Sequence, residues 1–157
     1  MSNTNPVKAT AVIPLLGSLG FLPFAFSAWL EAAGSQFLSI EPRLIFASYS
    51  AIILTFLGGA LWGRALTFQF DIAGVGLLLA SNFLALLAWV VLLWSPDSIL
   101  SFLFLMSGFI VVSVLEFRNR DLLFRELPTS VRASYLRLRA LLTGLVLLAH
   151  IIMMVNL

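Results

Sequence analysis

The sequence predicts an all-α, polytopic membrane protein of five transmembrane helices, N-terminus inside and C-terminus outside, and three observations predict it. Of 157 residues, 61% are hydrophobic and only 10% charged, against about half and a quarter in soluble domains; the mean hydropathy is +1.08. Five stretches of at least 18 residues carry no Asp, Glu, Lys or Arg: 9–30, 44–63, 72–96, 98–115 and 140–157. Each approaches or exceeds the roughly 20 apolar residues that cross a bilayer core as a helix. Basic residues also segregate: Lys8, Arg64, Arg118, Arg120, Arg125, Arg132, Arg137 and Arg139 fall on one side of that layout and Arg43 alone on the other, and the basic side is expected to be cytoplasmic.

Span 1 is expected at about 10–30. It carries Pro14 and Pro23 with Gly17 and Gly20, so a kink is expected where a proline removes a backbone donor. A lone lysine precedes this stretch, which is longer than a signal-peptide core and is read as a retained span. The loop 31–43 contains Gly34, Ser35 and Pro42. Span 2 covers about 44–63, and a link through Asp71 leads to span 3 at about 72–94. Ser95, Pro96 and Asp97 form a tight turn before span 4 at about 98–115. The polar segment 116–135 is read as a cytoplasmic loop, followed by span 5 at about 136–155. Arg137 and Arg139 would snorkel from its first turn to the headgroups. Trp62, Trp89 and Trp94 near span ends suit an interfacial aromatic belt. The whole chain is one membrane domain, 1–157.

Composition narrows the chemistry. There is no cysteine and one histidine, so thiol nucleophiles, iron–sulfur clusters, bis-histidine haem and His-rich metal sites are outside the reach of one chain. No metal or cofactor is expected. The net charge of +2 is no sign of nucleic-acid binding, because most of the basic residues lie in one juxtamembrane segment. Walker, nucleophile-elbow, H-E-x-x-H and dinucleotide signatures are absent, and no catalytic residue is assigned.

Five features could carry function. Ala47, Ala51, Thr55, Gly59 and Gly63, joined by Gly58, put small residues four apart along span 2, a groove for close helix packing within the bundle, for dimerisation or for a ligand. Gly74, Ser81, Ala85 and Ala88 make a weaker stripe on span 3 that could meet it. Asn82, mid-span, should bond to another helix or face a wet cavity, because a lone amide in hydrocarbon is costly. His150 is the one titratable group inside an apolar stretch; its expected role is a hydrogen bond to a neighbouring helix, which replacement by leucine would strand, with a proton relay or ligand contact as the alternative. Arg118, Arg120, Arg125, Arg132 and Arg139 set topology and could contact anionic lipid headgroups or an acidic partner.

Gly20-Phe21-Leu22-Pro23-Phe24 in span 1, Phe56-Leu57-Gly58-Gly59-Ala60-Leu61-Trp62-Gly63 in span 2, then Pro128, Tyr135-Leu136-Arg137 and Leu141-Leu142-Thr143 resemble the transmembrane protein 69-like family over nearly the whole chain. The resemblance implies a compact helical membrane protein of unassigned activity in the bacterial inner membrane, and transfers no catalytic residue. Two positions depart from the family pattern: Leu61 stands where His or Arg is usual before the tryptophan, with the basic residue at Arg64 instead, and Leu84 stands near an expected proline.

The leading functional expectation is a non-enzymatic accessory or assembly subunit packing against other membrane helices or a second copy of itself. The alternatives are a small oligomeric transporter or channel with a pathway near Asn82, His150 and Trp62, and a lipid-handling enzyme using Glu116, Asp121 and the arginines.

Overall fold

The computed structural model describes residues 6–67 and 72–157. Asp71, in the expected link between spans 2 and 3, and the Lys8 side chain lie outside what is described. Among the described residues six helices follow in order: α1 (Pro6–Ala32), α2 (Pro42–Ala65), α3 (Ile72–Trp94), α4 (Ile99–Arg118), the short α5 (Arg120–Leu123) and α6 (Thr129–Val155). Among the described residues there is no strand beyond an isolated bridge between Phe37 and Ile40. Five of the helices are long and apolar enough to cross a membrane.

Local chemistry accounts for the ends. The α1 terminus is a Schellman motif: Gly34 sits at φ +59°, Ser35 N donates to Leu30 O at 3.0 Å and Gly34 N to Glu31 O at 3.1 Å, satisfying carbonyls that the helix leaves open. Pro42 opens α2 at a first-turn position, where its missing N–H costs nothing. Ser98 caps α4 by accepting from Ser101 N at 3.2 Å. Pro14 and Pro23 both lie inside the unbroken α1. The Ser27 hydroxyl donates to Pro23 O at 2.7 Å.

The polar segment expected as a loop is mostly helix. α4 runs on to Arg118 and α6 begins at Thr129, well before its apolar stretch. α6 starts just after Pro128, whose carbonyl accepts from Arg132 N at 2.9 Å, and not where its hydrophobicity does.

α2 and α3 form the most extensive helix pair, and α2 also touches α1 and α4, while α6 packs on α1 and α4. On α2 the buried residues Ala47, Ala51, Leu54, Gly58, Leu61 and Ala65 form one stripe, with Pro42, Phe46 and Ser50 buried beside it; on α3 the stripe is Gly74, Leu77, Ser81, Leu84, Ala88 and Val91. Both stripes alternate steps of three and four, the 3.5-residue period that keeps one seam against a partner helix. Three glycines permit close approach. A Cβ on Gly58 would lie 3.1 Å from Ser81 O, one on Gly17 2.9 Å from Leu142 Cδ1, and one on Gly108 would press into Leu54.

At the end opposite the arginine-rich segment, Arg43 joins three helices. Its Nε donates to Glu31 Oε1 at 2.8 Å and its Nη2 to Asn156 O at 2.9 Å. The one basic residue of that end is thereby matched by a carboxylate.

Candidate functional site

Three places hold the polar and small residues singled out above. The first is the centre of the bundle. His150 is fully buried and its ring meets Phe46 at 4.7 Å, Phe109 at 5.6 Å, Phe24 at 6.3 Å and Phe102 at 6.5 Å between centroids. Nδ1 lies 2.8 Å from Val146 O. A carbonyl only accepts, so the proton sits on Nδ1 and leaves Nε2, which has no partner, as an acceptor among ring edges. The expected bond to a neighbouring helix is therefore replaced by one within α6. Phe24, from the GFLPF run, is a hub of this cage, facing Phe46 at 5.4 Å and Tyr49 at 4.9 Å.

The second place is the outer face of the α2–α3 hairpin. Ala47 and Ala51 are buried, but Thr55, Gly59 and Gly63 are exposed, and a Cβ on Gly59 or Gly63 would meet nothing within 4 Å. The intramolecular groove expected along the whole stripe thus ends near Ala51. At about 100° per residue, strict four-residue steps drift about 40° round the helix each time, so the row starts in the core and finishes outside. Thr55 Oγ1 donates to Ala51 O at 2.8 Å. Asn82 is likewise exposed, and its Nδ2 donates to Leu78 O of its own helix at 2.9 Å. The bond from Asn82 to another helix of this chain, expected from its mid-span position, is not formed. Gly58 and Ser81 mark the contact between two antiparallel helices, and Gly59 and Asn82 each follow by one residue. That step turns both toward the same side of the pair at nearly the same level. Trp62 is also exposed, at 44%.

The third place is the arginine-rich end. Arg139, expected to snorkel, instead turns inward: Nε donates to Glu116 Oε2 at 2.6 Å, with the two side chains only 11% and 3% exposed. Arg139 Nη2 is buried without a partner. One helical turn further along α6, the Thr143 hydroxyl bonds with Ser113 of α4 at 3.0 Å. Arg132 pairs with exposed Asp121 at 2.8 Å, whereas Arg118, Arg120, Arg125 and Arg137 are exposed, with Arg120 beside Asp121 and Arg125 beside Glu126. Arg64 lies over Phe124 at 4.5 Å from the ring centre and near Tyr135 at 5.8 Å, a cation–π contact holding α5 against the end of α2. Pro128 is the residue before α6.

Beside Arg139, the helices leave an apolar groove of about 310 Å³ bordered by Gly17, Gly20, Phe24, Leu57, Phe109 and Leu142. Gly20 O accepts a hydrogen bond from Tyr49 at 2.8 Å, tying α1 to α2 there. No sequence reasoning pointed to this groove. The signal available was the 3.5-residue stripe on α4 and α6, on which Glu116, Thr143 and His150 fall. Among the described residues no group of three His, Asp or Glu converges as a metal site would require.

The chain matches the family model described as a protein of unknown function, DUF3429, over residues 9–155, and it belongs to that family. No curated protein and no solved structure matches it.

Proposed function

We propose that this DUF3429 chain is a non-enzymatic accessory or assembly subunit that docks on other membrane helices, another protein's or a second copy's, through the outer face of the α2–α3 hairpin. The observation that supports it is the exposure of Thr55, Gly59, Gly63 and Asn82 on that face. Small residues let a second backbone approach, and an amide with an unused carbonyl oxygen gains a partner in hydrocarbon only from another helix. We read the compartment as the bacterial inner membrane, in keeping with the transmembrane protein 69-like resemblance. The exposed arginines Arg118, Arg120, Arg125 and Arg137 then lie against anionic lipid on the cytoplasmic side. A transporter reading would ask Asn82 and His150 to share a pathway, and one is exposed while the other is enclosed by phenylalanine rings.

Two measurements test this. In native membranes solubilised gently, the wild-type protein should migrate as part of a larger particle, and Gly59→Leu and Asn82→Leu should each release it as a monomer with unchanged thermal stability. Variants that stay in the same particle would remove the docking face. Reporter fusions after Asn119 and after Leu157 should read cytoplasm and periplasm respectively, following the basic-residue bias. Both reading on one side would be incompatible with five spans.

A further inference from the structure

The groove beside Arg139 has a polarity that the docking proposal does not use. On α6, Arg139 is the last charged residue before the charge-free stretch 140–157, and on α4 Glu116 directly follows the charge-free stretch 98–115. The ion pair thus stands where the hydrocarbon of a bilayer begins. From that level the groove descends along α1 from Leu16 to Phe24, roughly 12 Å at 1.5 Å per residue, and along α6 from Arg139 to Val146. Below the pair its walls are almost wholly apolar. Its rims, Leu16 and Phe56, are 62% and 69% exposed, so it opens sideways. Gly20 leaves room in it, because a Cβ there would meet nothing within 4 Å.

Charge sets what the head of the groove can hold. Glu116 takes Nε of Arg139, and the buried Nη2 has no acceptor. Buried donors are nearly always paired, and a guanidinium makes strong, directional bonds to phosphate and carbonyl oxygen. An occupant must therefore offer an acceptor oxygen at the membrane boundary and an unbranched apolar body running inward beside it. We propose that this groove is a phospholipid site: one acyl chain lies between α1, α2 and α6, and a small shift of the Arg139 side chain, whose Nη2 is enclosed by protein, lets a headgroup oxygen accept from that nitrogen. The volume, about 310 Å³, is at the lower end of the range of small-molecule sites, and it suits a single chain.

The test uses the full-length protein reconstituted in phosphatidylcholine vesicles containing phosphatidylglycerol with a photoreactive diazirine on one acyl chain, with labelled residues mapped by mass spectrometry. Label should concentrate on Leu16, Leu57 and Leu142 over the exposed Leu79 and Phe83 of the outer face. A Cβ at Gly20 meets no protein atom within 4 Å, so Gly20→Leu can extend into the groove, and it should abolish that concentration while the melting temperature stays unchanged. Arg139→Lys keeps a cation for Glu116 but removes the second nitrogen, and should lower groove labelling about tenfold, the effect of losing one charge-assisted hydrogen bond. Labelling that is even over all lipid-facing residues in the wild-type protein, or that survives Gly20→Leu, would overturn the proposal. So would groove labelling by diazirine palmitic acid with none by the phospholipid, since the occupant would then be a free fatty acid.

Discussion

Glu116→Leu is expected to cost about 3–5 kcal/mol of stability, the penalty for leaving a buried guanidinium without its carboxylate. Arg139 is 11% exposed and its Nη2 already lacks an acceptor, so loss of the Nε partner leaves the charge with no protein acceptor. Arg139 can recover only by swinging out of the bundle, which would open the α4–α6 seam above the Ser113–Thr143 bond. Removing both charges differs in sign. Glu116→Leu with Arg139→Met replaces a desolvated pair by apolar side chains of similar size, an exchange that is often neutral or stabilising, so the double variant should regain most of the loss. Thermal unfolding of the four proteins in one detergent, analysed as a double-mutant cycle, measures the coupling. A Glu116→Leu protein that melts with the wild type would mean that Arg139 reaches the headgroups on its own, as the sequence alone suggests, and that the buried geometry is not the operative one.

The number and order of the spans were legible because the length of an apolar run is a one-dimensional property, and each of the five runs lies within one helix, apart from the residues that close the third and fifth runs and open the fourth. Which face each helix buries was not legible from the same reading. The four-residue row from Ala47 to Gly63 looked like one face, but helical drift carries it from the core to the outside. The seam that packs, Ala47, Ala51, Leu54, Gly58, Leu61 and Ala65, mixes leucines with small residues, so selecting by size missed it while a 3.5-residue period would have found it. The same period sorts the polar residues. Ser81, Glu116, Thr143 and His150 sit on seams and are buried; Asn82, one residue off the α3 seam, is exposed. The burial of Arg139 was obscured because its partner lies 23 residues earlier, across the turn built by α5, and no local pattern relates the two.

The same distinction between seam position and local bonding decides what His150 is worth. His150→Ala should destabilise by about 2–5 kcal/mol, the usual cost of truncating a large, fully buried side chain, because the ring fills the centre of a cage made by Phe24, Phe46, Phe102 and Phe109. His150→Leu should cost less than His150→Ala, because leucine refills much of the space that alanine leaves empty. The sequence reading expects leucine to be costly in another way, since it would strand a partner on another helix. The bond that exists goes to Val146 O, a carbonyl within the turn of α6 that precedes the ring, and Nε2 has no partner to strand. Glutamine would then be worse than leucine, for it brings an amide into an aromatic cage that offers few acceptors or donors. The expected order of melting temperature is wild type, Leu, Gln, Ala. If Gln instead melts well above Leu, a polar group reaches Nε2 from outside the cage, and the imidazole is doing more than filling space.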